Sequence, residues 1–248
     1  ITSAGISLLN ISTSESRLLY SNTTEDFFQV PSLYYDDQLK RLWIGTGSAG
    51  LFYYDIIRKS LSDIPIRNFP KQPILAIRKD AKNTLLIGID GQGIWNISEK
   101  GDTILHIYKE DLNNPFSLRG DGVYDILCDG SKNWIATFTG KLSFFENNNS
   151  QITPVTYQIN NPNSLGNNYV NQIIEDHEGH IWFATNNGVS RWDAASNKWK
   201  HYYQNKSEQA KVFLSLCEDN QGHIWAGSYS SGIYLLDRET GKTLKHYS

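Results

Sequence analysis

Five aspartates, Asp37, Asp80, Asp129, Asp176 and Asp219, recur along the chain, each just before a short polar turn, and two are followed four residues later by His180 and His223. Carboxylates and imidazoles in such proximity could do general acid–base work or hold a metal ion. Tryptophans stand five or six residues beyond four of them, at Trp43, Trp134, Trp182 and Trp225. An indole offers a broad apolar face that could take a sugar ring.

The repetition argues against all three chemistries. Residues at the same place in successive units point the same way from different units, so they do not converge on one ligand. Each Asp is therefore expected to form a turn by bonding nearby backbone amides, and each Trp to fill the space between units. His201 and His246 likewise share one repeat position. Asp90-Gly-Gln-Gly93 is too short for a calcium loop of the EF-hand kind and lacks its terminal Glu. Neither Gly-x-Ser-x-Gly, a nucleotide-binding glycine loop nor His-Glu-x-x-His occurs. No catalytic residue, metal or cofactor is expected. Ligand contacts are sought instead at aromatics that do not repeat, near loops and strand starts: Tyr124, Phe138, Tyr169 and Tyr229.

The elements that position these residues follow from the repeat. The anchors Trp43, Leu86, Trp134, Trp182 and Trp225 are 43, 48, 48 and 43 residues apart. Each anchor heads a run of β-formers, such as Ile-Trp-Phe-Ala-Thr. A turn and a second apolar strand follow, opened by Gly50, Gly93, Gly188 and Gly232, with Lys141 in the glycine's place in the third unit. A short apolar segment precedes each Asp: from Phe28 to Tyr35, then from Ile74, Val123, Val170 and Phe213. Closing segments are read at Leu18, Ile104, Ile152, Trp199 and Leu244. Four short strands in 43 to 48 residues make a β-propeller blade, and no helical periodicity competes.

The expected fold is thus all-β, a propeller segment of about five and a half four-stranded antiparallel blades from a seven-bladed or double propeller. Residues 1–248 form one segment: 1–24 a closing half-blade, then units 25–67, 68–117, 118–163, 164–206 and 207–248. Linkers such as Asn113-Asn-Pro-Phe-Ser-Leu118 and Asn160-Asn-Pro-Asn-Ser-Leu165 join them.

The third unit departs in having five residues from Asp129 to Trp134 where the others have six. The chain also contains no methionine. Together these suggest a methionine missing between Asn133 and Trp134.

With 248 residues and 39% hydrophobic content the chain can bury a large core. Its net charge of −3, with scattered basic residues, leaves no footprint for nucleic acid or an acidic membrane. No apolar run is long enough for a membrane span, so any membrane attachment is expected outside these residues. Cys128 and Cys217 occupy non-equivalent positions of separate units and are expected as small buried apolar residues, not a disulfide.

The pattern apolar-x-x-Ile-x-x-Asp, Gly-x-Ile-Trp-Ile-Gly-Thr, Gly-Leu-x-x-Tyr-Asp with the link Asn-Pro-Asn-Ser-Leu resembles the two-component regulator propeller repeat. The best matches lie at 161–170 and 176–185, and the likeness covers nearly the whole chain. The resemblance implies a periplasmic sensor region of a hybrid two-component regulator, typical of Bacteroidetes. There, two propellers precede a β-sandwich, a membrane helix and a histidine kinase, and the sensor acts as a homodimer that binds oligosaccharides. On this reading the segment is not an enzyme. Two alternatives stand beside it: a propeller lyase or glycoside hydrolase acting on polysaccharide, with ionisable groups converging in a cleft, and a dimerisation scaffold that binds no ligand.

Overall fold

A computed structural model describes residues 5–21, 29–203 and 212–248; Phe28, the expected start of one inner strand, lies outside them. Every regular element among the described residues is a β-strand. A two-stranded pair, β1 (Gly5–Asn10) and β2 (Glu15–Ser21), comes first. Five four-stranded sheets follow. The first is β3 (Ser32–Asp36), β4 (Arg41–Gly45), β5 (Leu51–Asp55) and β6 (Ser60–Asp63). The second is β7 (Ile74–Lys79), β8 (Leu85–Ile89), β9 (Gly93–Ile97) and β10 (Ile104–Tyr108). The third is β11 (Val123–Cys128), β12 (Lys132–Thr137), β13 (Lys141–Glu146) and β14 (Thr153–Val155). The fourth is β15 (Val170–Glu175), β16 (Ile181–Thr185), β17 (Gly188–Asp193) and β18 (Lys198–Tyr202). The fifth is β19 (Phe213–Glu218), β20 (Ile224–Ser228), β21 (Ile233–Leu236) and β22 (Thr243–Tyr247). Each sheet is an antiparallel meander in chain order, the blade of a β-propeller. The chain divides into two compact units, Ile1–Tyr108 and Lys109–Ser248.

Burial follows position in the blade. The second strands β8 and β16 are buried at every residue, which is why they read as unbroken β-forming apolar runs. Outer strands face solvent and need little apolar content: β22 is exposed throughout. For the same reason β6, Ser60-Leu-Ser-Asp63, escaped the sequence pattern, its alternation being too polar to register.

Trp43, Trp134 and Trp182 fill the spaces between blades as expected, whereas Trp225, at the same repeat position, is only half-buried. In the first unit Trp43 is buried with Ile74, Ile77, Leu85 and Ile87 of the next blade. In the second, Trp134 joins Val170, Ile173 and Phe183, and Trp182 joins Phe213, Leu216 and Ile224. Inner strands are cross-linked as well. The Ser32 hydroxyl donates to Ile74 O at 2.6 Å, the Ile173 amide donates to Asp125 Oδ2 at 2.9 Å, and Asn171 Nδ2 donates to Phe213 O at 2.7 Å.

The turn aspartates form the expected backbone bonds. Asp80 Oδ1 accepts from the amides of Lys82 and Thr84, Asp176 Oδ1 from those of Glu178 and His180, and Asp219 Oδ1 from those of Gln221 and His223. Their other oxygen fixes the tryptophan: the indole Nε1–H of Trp182 reaches Asp176 at 2.8 Å, and that of Trp225 reaches Asp219 at 3.0 Å. His180 and His223 turn back onto the same carboxylates, so their spacing serves the turn.

Two further expectations need correction. In the first blade the turn carboxylate is Asp36, which accepts from Gln38 and Leu39, whereas Asp37 is exposed and pairs with Lys40. In the third unit β12 runs through Asn133 and Trp134 in register with β11 and β13. The shorter spacing is absorbed by a tighter turn, Asp129 N to Lys132 O, where Asp176 N reaches His180 O, and Trp134 still bonds Asp129 at 2.8 Å. Neither cysteine forms a disulfide, but Cys217 is exposed and Cys128 only half-buried, not the small buried residues expected.

The displaced turn aspartate leaves Trp43 with a buried Nε1–H that has no acceptor. Trp43→Phe is therefore expected to be milder than Trp182→Phe by about 1–2 kcal/mol, since only the latter loses a made hydrogen bond and orphans its acceptor. Urea midpoints of the two variants check this, and equal losses would contradict it.

Candidate functional site

In an antiparallel meander the start of the first strand and the turn between the second and third lie at the same end of the blade. Tyr124, at the start of β11, and Phe138, in the β12–β13 turn, therefore share an end. Their rings meet edge to face with centroids 5.3 Å apart, and Phe138 N donates to Gly122 O at 2.7 Å. Tyr169 precedes β15 on the next blade and Tyr229 sits in the β20–β21 turn of the last, so all four candidates occupy this end. Phe138 is 61% exposed, Tyr169 51% and Tyr229 75%. The structure pairs Tyr124 with Phe138 and sets Tyr169 against Gly140 of the same turn, and no ring among the described residues packs on Tyr229.

Tyr169 leans over the β12–β13 turn. A Cβ built on Gly140 would fall 2.6 Å from its ring, and Gly140 has φ +72°. This glycine answers the apparent loss of the turn glycine in the third unit: Lys141 takes the pairing position opposite Thr137, and Gly140, one residue earlier, takes the left-handed conformation.

Beside Tyr169 opens a cleft of about 450 Å³ between the β12–β13 turn, the end of β14 and the link into β15. Arg119, Thr139, Lys141, Thr156 and Asn168 supply its polar wall, and Leu142 and Pro154 its apolar floor. The Arg119 guanidinium donates to Pro115 O at 2.7 Å and has no carboxylate within ion-pairing distance among the described residues. Lys141 Nζ lies 3.8 Å from Glu110 Oε1, a loose exposed pair. Asn168 Oδ1 accepts from Tyr157 N at 2.7 Å, and its amide NH₂ has no partner among the described residues. The Tyr169 hydroxyl likewise has no partner among the described residues.

The lining thus holds two cations, an amide, hydroxyls and one aromatic face, and no carboxylate. Such a set can bind a hydroxylated ligand by donation and by packing on the ring. It lacks the pair of carboxyl groups that glycoside hydrolysis uses. Among the described residues no group of three His, Cys, Asp or Glu side chains gathers as a metal would require.

A second cleft, about 500 Å³, occupies the same repeat position in the first unit, lined by Gly50, Leu51, Asp63, Asn68, Phe69 and Lys71. The groove itself therefore belongs to the blade, and what differs is its lining. Sequence reasoning missed Arg119 and Asn168, although a signal exists. Arg119 follows the Asn-Asn-Pro-Phe-Ser-Leu link where Gly166 follows the sister link, and Lys141 stands where other units carry glycine.

Among the described residues no helix is long and apolar enough to cross a membrane. The two-component regulator propeller family matches at residues 164–187 and 207–230. No curated protein gives a significant match. Among solved structures, the extracellular domain of a protein described as the hybrid two component system BT3049 from B. thetaiotaomicron aligns at 18% identity and a TM-score of 0.55, over 100% of this chain and 37% of that one. That of BT4673 from the same organism aligns at 18% identity and a TM-score of 0.46, over 100% and 40%. The computationally designed Ika8 protein aligns at 11% identity and a TM-score of 0.67, over 98% and 68%. The chain spans about two fifths of the length of the B. thetaiotaomicron domains.

Proposed function

Because two of its blades carry the two-component regulator propeller repeat, we propose that this chain is part of the extracytoplasmic, periplasmic sensor region of a hybrid two-component regulator and binds a glycan-derived oligosaccharide. The observation that carries the binding reading is the cleft beside Tyr169: a hydroxyl and an amide without partners among the described residues, and an aromatic face, line a groove whose residues depart from the repeat. The mechanism is binding without bond chemistry. A saccharide seated there biases two arrangements of a homodimer and so alters a kinase elsewhere in the protein, beyond a membrane helix and a β-sandwich outside these residues. The absence of any carboxylate from the lining among the described residues favours this reading over a glycoside hydrolase, which uses a pair of carboxyl groups.

Calorimetry of the protein against a panel of oligosaccharides tests the proposal. Tyr169→Ala is expected to weaken binding at least about tenfold, by loss of a stacking face worth roughly 1–2 kcal/mol, while Tyr229→Ala leaves it unchanged. A panel without a binder, or binding indifferent to Tyr169, would sink it.

A further inference from the structure

The two clefts at equivalent repeat positions differ most in charge, and this difference identifies the class of ligand. In the first unit Asp63 and Lys71 balance one another in the lining. In the second, Arg119 and Lys141 are both cationic, with no acid beside them in the lining. The nearest acid is Glu110, 3.8 Å from Lys141 and outside the cleft wall.

The two positions are also the ones where this unit departs from its relatives. The sister link places Gly166 where Arg119 stands, and a glycine opens the third strand of the other blades where Lys141 stands. Each side chain makes one local contact, Arg119 with Pro115 O and Lys141 with Glu110, and neither takes part in the strand pairing. The Arg119 main-chain carbonyl, not its guanidinium, carries the local architecture by accepting from the Thr137 and Thr139 hydroxyls at 2.9 and 3.1 Å. Arg119 is half-buried as a residue, and its guanidinium, tethered by one exposed bond to Pro115 O, is unpaired with any carboxylate among the described residues. A guanidinium held in place by one bond and with unused donors is a receptor for a planar or tetrahedral oxyanion.

We propose that the cleft beside Tyr169 takes an acidic saccharide, its carboxylate or sulfate ester held by Arg119 and Lys141 while its ring packs on Tyr169. This rests on the reading of the cleft as a saccharide site. Asn168 and the Tyr169 hydroxyl then serve the sugar hydroxyls, and the sequence of charges along the groove sets which residue of the glycan carries the anion.

The test uses the protein with three matched probes: oligogalacturonate, its methyl ester, and a sulfated disaccharide. Either acidic probe is expected to bind at least about tenfold tighter than the neutral ester, and to weaken as salt rises from about 50 to about 300 mM. The acidic probe that binds identifies the anion as carboxylate or sulfate. Arg119→Ala is expected to lose about tenfold for the acidic probe and little for the ester, while Arg119→Lys, which keeps the charge and guards against a folding defect, loses less. Lys71→Ala in the other cleft leaves affinity unchanged. Equal affinity for acid and ester, or an Arg119→Ala variant with unaltered binding, overturns the acidic assignment while Tyr169-dependent binding of the ester keeps the saccharide site. Failure of all three probes in the Tyr169-intact protein overturns the acidic assignment, and a neutral panel then decides the saccharide reading separately.

Discussion

Trp182→Ala is expected to destabilise the protein by about 3–5 kcal/mol, the range for removing a large buried aromatic from a packed interior. Its ring is completely buried, stacks on Tyr202 at 5.4 Å and 18°, and packs against Phe213 and Ile224 of the adjoining blade. Trp134→Ala should be as severe, since that ring meets Phe183 at 5.6 Å and Trp192 at 5.2 Å. Trp225, at the same repeat position in the last blade, is only half-buried and stacks on Tyr247 at 5.9 Å. Its alanine variant should lose about 1–2 kcal/mol. Urea unfolding of the three variants gives the comparison. If all lost the same amount, the tryptophan would be acting within its own blade and the inter-blade account would fail.

That contrast shows what a repeat makes legible. Periodic apolar positions declared the strands, and the tryptophan's equivalence from unit to unit declared its place between blades. A strand such as β6 stayed hidden because an outer strand has one free edge and little apolar surface to bury. Asp36 was mistaken for Asp37 because two adjacent aspartates satisfy the same spacing, and only the backbone amides of Gln38 and Leu39 distinguish them.

The cleft was half legible. Tyr169 stood out as an aromatic outside the repeat; Tyr124 and Phe138 stood out for the same reason but do not line the cleft. Arg119 escaped because a lone arginine in a polar link has no periodic or motif signature. Only its position opposite Gly166, seen once the two links are superposed on their shared capping, separates it from a solvated surface charge. That capping is itself visible: Asp121 accepts from Glu110 N as Asn168 does from Tyr157 N, both at 2.7 Å. The architecture conserves the oxygen at this place and leaves the rest of the side chain free to vary. Blade-forming and ligand-forming roles are thus divided within single residues as well as between them.

Asp176→Ala should lose about 3 kcal/mol at neutral pH. The carboxylate is 4% exposed and accepts from the amides of Glu178 and His180, from the His180 ring and from the Trp182 indole. Removing it strands several donors in or near the interior, each at a cost of about 1–3 kcal/mol less what solvent can recover. Asp176→Asn, which keeps one acceptor oxygen, should lose less, and Asp37→Ala, at an exposed side chain, almost nothing. The same carboxylates set the acid limit. Burial raises the Asp176 pKa, but the bonds from Trp182 and His180 outweigh it and the net shift is downward. Asp129 is lowered in the same way, and Asp219 falls to about 2 as the bonds from His223, Trp225 and Gln221 overcome its desolvation. A carboxyl with a depressed folded-state pKa contributes stability that is present above its unfolded value, about 3.9, and lost as pH falls through the folded one. Stability should therefore drop between about pH 4 and pH 2. Glu175 works the other way: burial, then Asp129 and Asp176, raise its pKa, so its contribution is present at low pH and lost as pH rises through the raised value. Three lowered aspartates outnumber it, and the net slope between pH 2 and 4 should be positive. Urea midpoints across this range measure that slope, which Asp176→Asn should make shallower; an unchanged slope would mean that the turn carboxylates carry no linked stability.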